Sequence, residues 1–155
     1  MYIKLYRNRV NIVDSKEVFN LESDLEIKFN VFRKLDRSDR FFIVQNEGEL
    51  IEVGAAGFFS YYGQQLKREN GWGWVYKGYE KGELRINTDQ NIYLNNEKVG
   101  YISSGGGVFE WLKKIVSSQK VVPFEQWCKV EFNNELLDVD AALSLLFIYH
   151  SQTVD

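Results

Sequence analysis

Four cations crowd the stretch "RKLDRSDR": Arg33, Lys34, Arg37 and Arg40. Guanidinium and ammonium groups at that density can hold a phosphate or another anionic headgroup through charge-assisted hydrogen bonds. Asp36 and Asp39 are interleaved with them, so a loop that pairs its own charges is the competing reading. A second anionic-surface candidate is "VFEWLKKIVSS", where Trp111 and Lys113-Lys114 sit on a helix-period segment. There the stripe Val108, Trp111, Leu112, Ile115 and Val116 reads first as a core-facing helix side.

Reactive groups are scarce. The chain has one His and one Cys, which rules out a zinc site of the usual His/Cys kind. A Cys128–His150 nucleophile pair would need a thiolate in an electropositive, partly open setting. Nothing in the spacing brings the two together. Glu47/Glu49, Glu80/Glu83 and Asp138/Asp140 could serve as acid–base pairs, but each falls in a turn or helix cap, where carboxylates are ordinary. "SSGGGV" lacks the Lys-Ser/Thr of a phosphate loop and the dinucleotide spacing, so it reads as a connection. "GWGW" at Gly71–Trp74 offers a stacking platform for a sugar or base, or simply packs on a sheet. This inventory points away from an enzyme and calls for no cofactor and no metal.

With 155 residues the chain suits one domain with a sizeable core. The net charge of −3 argues against a dedicated nucleic-acid binder. Charge is nonetheless polarised. Residues 1–40 carry nine Lys/Arg against seven Asp/Glu, and residues 121–155 carry Lys129 alone against six acids. Such asymmetry can orient a molecule near an anionic surface. The lone cysteine fits a reducing compartment, and "MYIKLYRNRV" lacks the apolar core of a signal peptide. A cytoplasmic protein, peripheral at a membrane, is the expectation.

The elements that must position these residues are mostly strands. "LEIKFNVF" alternates, with Leu25, Ile27, Phe29 and Val31 on one face. "YIKLYRNRV" and "KEVFNL" follow the same rule less regularly. Three hairpins are expected, turning at Asn46-Glu47-Gly48, at Lys81-Gly82 and at Asn95-Asn96. "VVPFEQWCKVEFNN" returns to strand character, with Val130 and Phe132 on one face. An amphipathic helix is predicted over about 107–118.

The most apolar segment, "DVDAALSLLFIYHSQTVD", predicts a helix over about 138–152. Its apolar run from Ala141 to Tyr149 is nine residues, against the roughly 20 that a membrane span needs. Leu143, Leu146 and Phe147 share one side, Leu145 and Ile148 another. A helix apolar all round, and too short to span, must be surrounded by protein.

Many antiparallel strands followed by "KVEFNNELLDVDAALSLLFIYHSQ" resemble the tubby C-terminal-like fold, in particular its LURP-one-related and scramblase-like members. There a short acidic turn leads from a late strand into a hydrophobic C-terminal helix inside a barrel. The resemblance covers nearly the whole chain, with "SSGGGVFEWLKKIVSSQ" as a departure from it. It implies a β-rich (α+β) single domain over 1–155: an antiparallel β-barrel wrapped around the C-terminal helix, with one additional amphipathic helix. It also implies binding at a lipid surface, phosphoinositide-like headgroups included. A protein-binding adaptor or inhibitor stays open, as does a small-ligand carrier or enzyme with a pocket at the barrel mouth.

Overall fold

The structure, a computed structural model, describes residues 1–26, 29–35, 40–45, 49–54, 59–61, 64–69, 72–106, 112–113, 115–117 and 126–152. The first strands are β1 (Tyr2–Val13), β2 (Lys16–Ser23), β3 (Phe29–Lys34), β4 (Arg40–Gln45) and β5 (Glu49–Gly54). Then come β6 (Phe59–Tyr61), β7 (Gln64–Glu69), β8 (Trp72–Tyr79), β9 (Gly82–Ile86), β10 (Asn91–Leu94), β11 (Glu97–Gly105) and β12 (Trp127–Phe132). One helix, α1 (Val139–Gln152), follows.

The strands form one antiparallel sheet in the order β5-β4-β3-β2-β1-β12-β11-β10-β9-β8-β7-β6. Two meanders are thus joined where the first strand pairs with the last, Ile3 opposite Val130 and Leu5 opposite Cys128. The β4–β5, β8–β9 and β10–β11 ladders match the three expected hairpins; the Asn46-Glu47-Gly48 turn itself lies outside the described residues. Asn95 and Asn96 both take positive φ, the backbone of a type I′ turn that matches the strand twist. Asp14 and Ser15 do the same between β1 and β2.

Alternation decides which face is buried. Ile3, Leu5, Phe19, Val31, Ile43, Ile102 and Val130 point to one side and are buried with α1. Of the "LEIKFNVF" face, Val31 is buried and Leu25 and Phe29 pack against the core; Ile27 lies outside the described residues. Leu25 and Glu26 precede the strand rather than belonging to it.

The sheet cannot be flat. A flat sheet of this many strands would separate β5 from β6 by about 50 Å. Yet only residues 55–58 join them, and five peptide steps reach about 18 Å. The two strands are in fact near one another, so the sheet curls. Among the described residues no ladder joins β5 to β6, so hydrogen bonds do not close the sheet into the expected barrel.

Helix α1 touches β12 and β1 from the middle of the order, and β4, β5 and β6 from its two ends. Leu143, Leu145, Leu146 and Phe147 are all fully buried, although they point to different sides of the helix. Phe147 meets the rings of Phe19 and Phe41 at 5.6 and 4.7 Å. Ser144, also buried, donates its hydroxyl to the Asp140 carbonyl at 2.8 Å, one turn back. Burial of the four large side chains contributes about 6–12 kcal/mol gross, comparable with the whole net stability of a domain at about 5–15 kcal/mol.

Of the predicted amphipathic helix, residues 112–113 and 115–116 are helical, and the Ser117 N–H donates to the Lys113 carbonyl at 3.0 Å. Leu112, Ile115 and Val116 are exposed, so these members of the stripe do not pack on the core as expected. Periodicity marks an apolar side but not what covers it. Val108 and Trp111 lie outside the described residues.

Burial on every side gives a sharp expectation. Leu145→Ala and Leu146→Ala, on different sides of α1, should each lower unfolding free energy by about 2–5 kcal/mol in denaturant titration. A near-neutral result for either would mean that one side of the helix faces solvent.

Candidate functional site

The strands alternate in direction, so the curled sheet has two rims. The lower rim carries the start of α1 and the β8–β9 turn. Asp138 begins the helix, its carbonyl accepting the Ala142 N–H at 3.0 Å. Its carboxylate accepts from the Tyr79 hydroxyl and from Lys81 Nζ, both at 2.6 Å. Burial first, then this bond to Asp138, pushes the Tyr79 hydroxyl well above its ordinary pKa. Asp140 accepts the Ala141 N–H at 2.9 Å. The Asp138/Asp140 pair is therefore the anchor of a helix start, and Glu83 is bound by Arg85. Glu47, and the side chain of Glu49, lie outside the described residues.

The upper rim holds the β1–β2 turn, the β3–β4 connection and the excursion between β11 and β12. Here the cation cluster separates. Neighbouring residues of a strand point to opposite faces, and Arg33 and Lys34 obey this. Arg33 follows Val31 on the inner face, donates from Nε to Glu17 Oε2 at 2.7 Å, and lies over the Phe41 ring at 5.9 Å. Lys34 lies on the outer face, its Nζ over the Phe42 ring at 5.3 Å. Arg40 starts β4, opposite Gly54; Arg37 lies outside the described residues. Of the four, Arg33 and Lys34 thus serve different faces.

A partner for Lys34 comes from another strand. The ladder sets Lys16 directly opposite Lys34 and Val13 directly opposite Lys16. Residues opposite one another share a face, so Val13, Lys16 and Lys34 form one outer rung over three strands. Lys16 Nζ sits over the Phe32 ring at 4.8 Å, and Phe32 stacks on Phe42 at 5.3 Å. Each aromatic contact offers about 0.5–1 kcal/mol, while like charges directly opposite repel. Among the described residues no carboxylate pairs with either lysine. An anion placed between the two ammonium groups would relieve that repulsion. Lys16 is invisible in the "RKLDRSDR" pattern because only the β2–β3 register brings it there. The Asp14-Ser15 turn fixes only β1 against β2, which brings Val13 to Lys16; no comparable turn signal sets β2 against β3.

Further round the sheet, the outer face is already satisfied. Tyr2 and Tyr6 donate to Glu22 at 3.1 and 2.5 Å, and Lys4 lies over Tyr6 and Trp127 at 4.8 and 4.9 Å. Lys129 pairs with Glu131, which Tyr101 also reaches.

The remaining candidates resolve structurally. "SSGGGV" starts as the end of β11, where a Cβ on Gly105 would come within 2.4 Å of the Trp127 indole. Ser104 and Tyr149 share a hydrogen bond at 3.1 Å, which brings the end of α1 to the upper rim. The Trp72 and Trp74 side chains, Gly71 and the His150 side chain lie outside the described residues. Cys128 is fully buried in the core, and burial pushes its thiol up to about 12. Such a thiol is the opposite of an activated nucleophile. Among the described residues no group of His, Cys, Asp and Glu could hold a metal ion, and no helix is long and apolar enough to cross a membrane. Comparison with family models, with curated proteins and with solved structures finds no match.

The thiol gives a pH test. Because its folded pKa is raised, the neutral form stabilises the fold fully below the ordinary thiol pKa of 9.0, and that contribution is lost as pH climbs toward about 12. Melting temperature should fall more steeply across this window for wild type than for Cys128→Ala. At pH 8 a thiol reagent should label native protein about a thousandfold more slowly than unfolded protein, from ionisation alone. Equal labelling rates would contradict the buried placement.

Proposed function

We propose that this chain is a non-catalytic binding domain of tubby-like architecture that attaches to anionic lipid surfaces through its upper rim. The curled sheet is read as a barrel around α1 with its seam between β5 and β6. What supports that reading is a helix buried on every side and touched by strands from both ends of the sheet order.

The observation that carries the functional reading is the outer rung in which Lys16 and Lys34 face each other without a carboxylate among the described residues. Two ammonium groups on adjacent strands suit lipid phosphate or carboxylate, and each Lys near a charged bilayer contributes about 1 kcal/mol. Arg37 in the β3–β4 connection and Arg40 at the start of β4 are assigned to the same surface. Arg33 is assigned a supporting part, since Glu17 already holds it.

Overall charge acts in the same direction. Asp24, Glu26, Asp138 and Asp140 line a cleft at the lower rim, at the opposite end from Lys16 and Lys34. A molecule polarised in this way turns its cationic rim toward a negative surface before contact.

Co-sedimentation with neutral and phosphatidylserine-containing vesicles tests the proposal. Binding should require the anionic lipid and weaken with salt. It should drop about 30-fold in Lys16→Gln/Lys34→Gln, from two lost contributions of about 1 kcal/mol. Arg33→Gln should change it less. Absence of binding, or binding indifferent to both lysines, would overturn the assignment.

A further inference from the structure

The large apolar side chains that the described residues leave exposed are unevenly distributed. Ile12 is 70 %, Val13 52 %, Leu35 49 % and Val116 83 % exposed, and Leu112 and Ile115 are exposed as well. Ile12, Val13 and Leu35 lie at the upper rim, and Leu112, Ile115 and Val116 belong to the excursion that connects β11 to β12 there. Among the described residues, the other exposed large apolar side chains are Met1 and Tyr101, at the lower rim and on the outer sheet face.

Leu35 lies beside the turn that follows Ile12 and Val13. The Leu35 N–H donates to the Ser15 carbonyl at 3.3 Å, tying the β3–β4 connection to the β1–β2 turn. Among the described residues, pairing of β1 with β12 runs to Tyr6 opposite Trp127, followed by the Arg7 N–H bond to the Gln126 carbonyl. Beyond that point β1 continues to Val13 with β2 as its ladder partner, after a register shift between Leu5 and Val10. β3 accompanies the hairpin to its last rung, and Leu35 bonds its turn, yet Ile12 and Val13 there stay exposed, an aqueous cost that packing within this chain does not remove. Lys16 and Lys34 stand in the same rung as Val13, and their ammonium groups reach back from the tip over Phe32 and Phe42, two residues further down the strands.

We infer that the upper rim enters the bilayer interface: Ile12, Val13 and Leu35 sit among the first methylenes, with Lys16 and Lys34 at headgroup level. Charge complementarity selects an anionic bilayer over an apolar protein groove, since the two ammonium groups set back from the tip need a negative plane at a fixed depth. Leu112, Lys113, Ile115 and Val116 belong to the excursion leaving the same rim and add a second apolar-cationic element. Asp14, exposed at the apex of the turn, keeps insertion shallow. The inference rests on the proposed anionic-lipid reading and adds a mode of attachment that charge alone does not require.

Because Cys128 is buried, a cysteine placed at Val13 can be labelled alone. Val13→Cys carrying an environment-sensitive nitrobenzoxadiazole dye is mixed with neutral or phosphatidylserine-containing vesicles, with Glu97→Cys at the lower rim as the control. The expected result is blue-shifted emission from position 13 on anionic vesicles, quenched by a spin label placed near the headgroups, and no change from position 97. Ile12→Ser/Val13→Ser/Leu35→Ser should also bind about tenfold more weakly at physiological salt. Sedimentation without a blue shift at position 13 would leave the electrostatic reading standing and overturn insertion. Failure to sediment overturns both. A blue shift that grows with protein concentration in the absence of vesicles would mean that a second copy covers the tip, and would also overturn insertion.

Discussion

A helix with no polar side sets the terms for this structure. Leu143, Leu145, Leu146 and Phe147 cannot all be buried against a single layer, because they point in different directions around α1. Only walls on every side satisfy them, and a curled sheet supplies such walls. At fourteen residues and about 1.5 Å per residue, the helix runs about 21 Å. That is close to the height of a six-residue strand, about 20 Å. Length, polarity and sheet curvature therefore fit one another.

The sheet in turn depends on its most distant pairing. Ile3 against Val130 and Leu5 against Cys128 join two meanders that would otherwise each end in an open edge. Loop-closure entropy opposes such a contact until local hairpins have shortened the effective chain. The Asn95-Asn96 and Asp14-Ser15 turns, preset by positive φ, are the natural early elements. The core then closes around α1, which the Asp138–Tyr79 and Asp138–Lys81 contacts attach at the lower rim.

Local features were the legible ones. Hairpins announced themselves through turn residues, and the helix through a run too apolar for a surface and too short for a bilayer. The neighbour of β1 was not legible, because nothing in "YIKLYRNRV" specifies "WCKVEF" as its partner. The same gap explains the site. "RKLDRSDR" looked like one patch because its cations are adjacent in sequence, yet strand alternation sends Arg33 inward to Glu17 and Lys34 outward. Lys16 joins Lys34 only through register. The stripe at Leu112, Ile115 and Val116 had the periodicity of a core helix, and periodicity does not distinguish a core from a solvent-facing rim. In each case the missing information was long-range placement.

Native-state hydrogen exchange tests the dependence of the whole on the enclosed helix most directly. If the sheet stands only around α1, the amides of Leu143–Phe147 should exchange only through global unfolding, with the same opening free energy as Ile3 and Val130 of the β1–β12 ladder. Helix amides that exchange at clearly lower free energy while that ladder stays protected would contradict it. The sheet would then hold without its core helix.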